Sequence, residues 1–169
     1  MIDQKRSRGE NTSLLELTSY SPEQTQRIGF AIGELAQAGD VLLLVGDLGT
    51  GKTCLTQGMA RGLGLVDHIP SPSFVLAKEY QGRPDMYHVD FYRLNGAQEI
   101  AQLGIDDYLY GQGLCVVEWA DRALASLPKE HMLIKFEHRT ENERWLCFEP
   151  SGKRYVKMLL ELERKWNSR

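Results

Sequence analysis

The sequence predicts an α/β fold: a mixed sheet whose parallel core strands are flanked by helices, with an antiparallel strand pair toward the C-terminus. Three observations predict it. Val41 to Val45 is an unbroken apolar run bounded by Asp40 and Gly46, the pattern of a strand covered on both faces in a parallel sheet. A glycine-rich loop and a helical segment follow directly, making a strand, loop and helix unit. Met132 to Glu137 and Arg144 to Phe148 alternate in polarity with a polar stretch between them, as an antiparallel pair does.

The elements follow in chain order. Residues 1–13 mix Lys5, Arg6 and Arg8 with Asp3 and Glu10 without hydrophobic periodicity and read as a disordered tail, leaving 14–169 as one domain. Leu14 to Leu17 reads as a short strand. Ser21 caps a helix that Pro22 starts, with Ile28, Ala31, Ile32 and Leu35 at helical spacing and Gly39 as the expected end. After Val45 and the loop, a helix spans about Lys52 to Leu63. Pro70 and Pro72 favour extended backbone around Ser71, and Phe74 to Tyr80 reads as a strand joined to Met86 to Tyr92 through Gln81, Gly82, Arg83 and Pro84. One or two short helices fall within 97–110. Leu114 to Val117 is a second buried strand ending in Glu118, and Tyr155 to Lys165 a last helix.

Composition narrows the class. The 169 residues are 42% hydrophobic and 25% charged, values of a folded soluble chain of one domain at ~150 residues each. Twenty Lys and Arg against 23 Asp and Glu leave a net charge of −3, so no global basic field draws in nucleic acid. Cys54, Cys115 and Cys147 form no C-x-x-C pair, which argues against a zinc site and a disulfide scaffold. No apolar run approaches the ~20 residues of a membrane span and the N-terminus lacks a secretory stretch, so a cytoplasmic location is expected.

Gly46, Asp47, Leu48, Gly49, Thr50, Gly51, Lys52 and Thr53 match G-x-x-x-x-G-K-[ST] at every specified position, between a buried strand and a helix. This is the context of a P-loop NTPase. Backbone amides from Leu48, Gly49, Thr50 and Gly51 can wrap a triphosphate while the helix N-terminus adds partial positive charge. Lys52 is placed for the β and γ phosphates, Thr53 for Mg²⁺, and the Cys54 amide for the α phosphate. Cys54 is then a helix residue, not a nucleophile. A magnesium site of this kind needs a carboxylate at the end of a neighbouring buried strand, and Glu118 is the candidate. His88, Asp90 and Tyr92 alternate with Val89 and Phe91 and so share one strand face. Asp90 is a candidate to orient water or the magnesium shell, with Arg93 as a charge stabiliser; the bland alternative is a half-exposed strand. His68, His131 and His138 show no ligand spacing for a transition metal.

Together, GDLGTGKT, SPSF at Ser71 to Phe74, HVDFYR at His88 to Arg93 and VEW at Val117 to Trp119 resemble the TsaE family, the bacterial ATPases of tRNA threonylcarbamoyladenosine biosynthesis. The resemblance covers roughly residues 14–150. It implies an ATP- and Mg²⁺-dependent ATPase, slow alone, that works with TsaB and TsaD in threonylcarbamoyl modification of adenosine 37 in ANN-decoding tRNAs, meeting tRNA through that complex. It further implies Lys52 and Thr53 for phosphates and metal, Glu118 as the Walker B acid, Asp90 for hydrolysis and Ser71 to Phe74 as a switch-like segment. The chain carries Ser73 where the family commonly has threonine and Thr50 where it has alanine; neither removes a hydroxyl or amide the loop needs. Two rival readings stand beside this one. One is a P-loop small-molecule kinase, whose arginine-bearing lid helix is not apparent in 131–149. The other is a nucleotide-dependent binding module without catalysis, in which ATP only orders Ser71 to Tyr80.

Overall fold

The computed structural model describes residues 4–5, 8–9, 12–66 and 69–168. Ten strands occur there: β1 Gln4–Lys5, β2 Arg8–Gly9, β3 Thr12–Ser13, β4 Leu15–Ser19, β5 Val41–Val45, β6 Ala77–Tyr80, β7 Met86–Asp90, β8 Leu114–Glu118, β9 His131–His138 and β10 Arg144–Ser151. The helices are α1 Pro22–Leu35, α2 Lys52–Gly62, α3 Ala97–Ala101, α4 Asp106–Leu109 and α5 Lys153–Asn167. Eight strands form one sheet in the order β1-β4-β10-β9-β5-β8-β7-β6, and β2 pairs with β3 apart from it. The contiguous run β9-β5-β8-β7 is parallel, while β6, β10, β4 and β1 pair antiparallel at its two sides. The mixed sheet, its parallel core and the C-terminal antiparallel pair agree with the expected fold. Much of the expected N-terminal tail lies outside the described residues, but within it β1 runs beside Leu17 and Glu16.

Period-two alternation explains how β5 and β8 are covered on both faces. Leu42, Leu44, Leu114 and Val116 pack with α1, α2 and α5 in one cluster. Val41, Leu43, Cys115 and Val117 pack on the other face with Ile100, Ile105, Leu109 and Ala123. By the same alternation Glu118, two residues beyond Val116, falls on the α2 side of the sheet.

α1 begins as its sequence dictates: the Ser21 hydroxyl accepts the Gln24 amide at 3.3 Å and Pro22 takes the first turn. Its end departs from expectation. Ala36 turns extended (φ −64°, ψ 144°), so the helix stops at Leu35, and Gly39 (φ 83°) makes the turn into β5 instead. α1 and α2 approach so closely that a Cβ at Gly58 would run into the Gln26 backbone, and one at Gly29 into the Leu55 carbonyl. Backbone cannot yield as a flexible side chain can. Gly58→Ala should therefore reach the upper end of the ~1–3 kcal/mol that overpacking costs, lowering Tm by roughly 6–12 °C at ~2–4 °C per kcal/mol for a chain of this size. A thermal melt within about 2 °C of wild type would show that the helices part easily.

α5 is two residues longer at each end than its periodicity predicts, and its place in the fold is now clear. Tyr155, Met158, Leu159 and Leu162 enter the core. Arg154 grips Asp40 at 2.9 and 2.6 Å across 114 residues, while the Tyr155 hydroxyl accepts the Val41 amide at 2.7 Å. Burial pushes the Tyr155 phenol up to about 12. The helix thus clamps the start of β5, the strand that leads into the glycine-rich loop.

A second correction concerns Phe74 to Leu76. These residues form a turn: Val75 and Leu76 both donate to the Pro72 carbonyl, Leu76 is left-handed (φ 69°) while its carbonyl accepts the Asp90 amide at 2.9 Å, and the strand starts only at Ala77. Phe74 is 84% exposed. No helix among the described residues is long and apolar enough to cross a membrane.

Candidate functional site

A cleft of about 310 Å³ opens above the C-terminal ends of β5, β8 and β7. Leu48, Gly49, Gly51, Lys52, Thr53, Cys54, Asp90 and Glu118 all line it, so one site gathers the residues expected to serve it, with Thr50 as the exception. Thr50 is buried and donates from its hydroxyl to the Asp47 carbonyl at 2.8 Å, which holds the loop's curve. Gly46 (φ 146°) and Gly51 (φ 104°) carry the backbone angles that β-carbons would strain.

The Lys52 side chain is 4% exposed and folds over its own loop, donating to the carbonyls of Gly46 at 2.6 Å and Asp47 at 2.8 Å. Its ammonium also lies 4.0 Å from the Trp119 ring centroid. Burial lowers the Lys52 pKa, and the carboxylates of Glu118 and Asp90 oppose that shift. Trp119 reaches this position because its backbone turns left-handed (φ 58°) directly after Glu118, an uncommon conformation for a bulky residue.

Glu118, 2% exposed, accepts from the Thr53 hydroxyl at 2.9 Å through Oε2 and meets His88 Nε2 at 2.8 Å through Oε1. Strand pairing sets Asp90 directly opposite Glu118. Asp90 is 3% exposed, not half-exposed; Oδ1 accepts the Tyr92 amide at 2.7 Å and Oδ2 the Ser71 hydroxyl at 2.6 Å. Ser71 in turn lies 2.6 Å from the Ser73 hydroxyl, so the turn at 70–76 is tied to the strand that carries Asp90.

Two expectations for this strand fail. Tyr92 lies beyond the end of β7, where its ring packs tilted against Trp119 with centroids 5.1 Å apart and lines the cleft. Arg93 points elsewhere, with its guanidinium 4.1 Å over the exposed Phe74 ring. Arg122 comes closer, 5.6 Å from the Trp119 ring and anchored on the Leu94 carbonyl at 2.6 Å. Sequence reasoning missed the Ser71 to Asp90 and His88 to Glu118 bonds. Their only trace was the alternation of polar residues in His88 to Asp90, which marks a face and not a partner.

Cys54 behaves as a helix residue: its thiol donates to the Pro22 carbonyl at 3.3 Å, and burial raises its pKa. Beside it, a second cleft of about 200 Å³ runs between the start of α1 (Ser21, Pro22, Thr25) and the turn that joins β9 to β10 (Glu141, Asn142, Arg144). Among the described residues no three His, Cys, Asp or Glu side chains converge as a metal cage. Thr53 and Glu118 present oxygens only, a donor set that suits a hard cation completed by phosphate and water rather than a transition metal.

Comparison with known proteins agrees with these motifs. The family profile described as "Threonylcarbamoyl adenosine biosynthesis protein TsaE" matches residues 19–146. The chain is 41% identical to the tRNA threonylcarbamoyladenosine biosynthesis protein TsaE of Bacillus subtilis over 154 residues, covering 90% of this chain and 96% of that protein. To the protein of the same name from Treponema pallidum it is 37% identical over 130 residues, or 77% of this chain and 96% of that one. The crystal structure of Bacillus subtilis YdiB superposes with a TM-score of 0.81 at 37% identity, across 93% of this chain and 99% of that chain. With the P-loop, the carboxylate pair and the SPSF turn meeting in one cleft inside the matched region, the chain belongs to the TsaE family.

Proposed function

We propose that the chain binds ATP with Mg²⁺ in this cleft and hydrolyses it in the cytoplasm, as the ATPase that serves threonylcarbamoyl modification of adenosine 37 in ANN-decoding tRNAs together with TsaB and TsaD. The observation that carries the reading is the meeting of Thr53 and Glu118 at 2.9 Å, with Lys52 and Asp90 in the same cleft. Loop amides from Leu48 to Cys54 and the α2 N-terminus supply donors and partial positive charge for the phosphates. Lys52 exchanges two carbonyl acceptors for β and γ phosphate oxygens, a stronger charge-assisted contact. Thr53 and Glu118 would hold a magnesium ion, which would offset the charge on the β and γ phosphates. Asp90, already oriented by Ser71 and the Tyr92 amide, positions the attacking water.

Phosphate release measured with and without purified TsaB, TsaD and substrate tRNA tests the proposal. Acceleration by the partners is expected; phosphate transferred to a metabolite would replace the reading with a kinase, and binding without turnover would replace it with a binding module. Glu118→Gln should keep the fold, since the amide is close in size, yet weaken Mg²⁺-dependent ATP binding roughly tenfold, ~1.4 kcal/mol. An unchanged Mg²⁺ titration would transfer the metal role to Asp90.

A further inference from the structure

His88 is fully buried, with 0% exposure, beneath a carboxylate it does not need for packing. Nε2 lies 2.8 Å from Glu118 Oε1, while Nδ1 has no hydrogen-bond partner among the described residues. A carboxylate only accepts, so Nε2 carries the proton and donates. The other ring nitrogen is left buried and unsatisfied, a cost that an apolar side chain would avoid. On the same sheet face Met86 and Val116 are apolar, while Lys78 pairs with His88 across β6 and Asp90 follows it on β7. The polar contact that the ring makes is its hydrogen bond to Glu118.

That bond distinguishes two oxygens that are chemically alike. Thr53 donates to Oε2, and His88 occupies Oε1. We propose that His88 is a positioning residue which, by holding Glu118 Oε1, fixes the carboxylate with Oε2, the oxygen beside the Thr53 hydroxyl, toward the cation and so makes the site select Mg²⁺ over Ca²⁺. Mg²⁺ demands near-ideal octahedral geometry and takes a carboxylate through one oxygen, whereas larger Ca²⁺ accepts both oxygens of a carboxylate in a flexible shell. An outer hydrogen bond that fixes a metal-binding side chain is commonly worth ~10–100-fold in metal affinity.

The proposal rests on the assignment of Glu118 to the metal, and calorimetry separates the two. Full-length protein loaded with a non-hydrolysable ATP analogue is titrated with Mg²⁺ and with Ca²⁺, and analogue affinity is measured separately in EDTA. His88→Leu is expected to lower Mg²⁺ affinity about 10–100-fold, to lower Ca²⁺ affinity much less, and to leave analogue binding in EDTA unchanged. His88→Gln, which brings an amide N–H to a similar reach, should recover most of the Mg²⁺ preference. A Leu variant within threefold of wild type for Mg²⁺, an equal loss for both cations, or a folded Gln variant no better than Leu would each overturn it. Should the Leu variant fail to fold, the Gln variant alone decides, by keeping or losing the Mg²⁺ preference. Failure of the underlying reading looks different: wild-type protein itself would then show no effect of Mg²⁺ on analogue binding.

Discussion

Lys52→Ala is expected to bind ATP at least tenfold more weakly than wild type, with the fold intact. The side chain brings the one ammonium that the loop directs into the cleft, and hydrogen bonds to charged groups are each worth ~1.5–3 kcal/mol. Part of that is offset, because Lys52 already satisfies itself on the carbonyls of Gly46 and Asp47 and must give these up. The exchange remains favourable since phosphate oxygens carry full charge and carbonyls do not. Removal also leaves Glu118 and Asp90 without the cation that now lies near both, so the carboxylates repel the incoming triphosphate more strongly. Isothermal titration with ATP and Mg²⁺ measures the effect. An affinity within about threefold of wild type, ~0.65 kcal/mol, would remove the loop from nucleotide binding altogether.

Asp90→Ala is expected to leave ATP affinity nearly unchanged and to lose about 10²–10⁴-fold in phosphate release, the range for a group that assists proton transfer or orients water. A contact made mainly in the transition state lowers turnover without weakening the ground-state complex. Geometry adds a control. Alanine also frees Ser71 and the 70–76 turn, so a loss in that variant alone does not separate chemistry from tethering. In Asp90→Asn the side-chain oxygen still accepts the Tyr92 amide and the amide nitrogen can donate to Ser71, so the tether persists while the charge is gone. Single-turnover rates in the reconstituted system with TsaB and TsaD, alongside direct binding on the same samples, give the comparison. Equal losses in the two variants assign the effect to the carboxylate charge, and a wild-type rate in Asn would assign Asp90 to holding the turn.

The glycine-rich loop between strand and helix was legible from eight consecutive residues because its pattern is local. The glycines, Lys52 and Thr53 lie within six residues of the start of α2 at Lys52, and the flanking run Val41 to Val45 supplies the buried strand that aims them. Strand periodicity likewise marked β8, β9 and β10 and put polar residues on one face of β7, because near neighbours in the chain impose a period of two. The same local reading failed at Phe74 to Leu76, where three apolar residues resemble a strand but Pro72 accepts two amides and turns the chain outward. It failed again at Gly39, which shapes a turn and does not end a helix.

The sequence by itself determined the strand, loop and helix unit, the α/β class and the roster of acids, since each depends on residues a few positions apart. Tertiary structure alone decided which strands lie side by side, and so brought Asp90 opposite Glu118, Ser71 to Asp90, His88 to Glu118 and Arg154 to Asp40. Those pairs span 19 to 114 residues of chain; strand order and register select Asp90 and His88 with Glu118, while the 70–76 turn brings Ser71 to Asp90 and the docking of α5 brings Arg154 to Asp40. Register depends on how whole faces of the sheet pack against α1, α2 and α5, so no local pattern encodes the partner of a buried side chain.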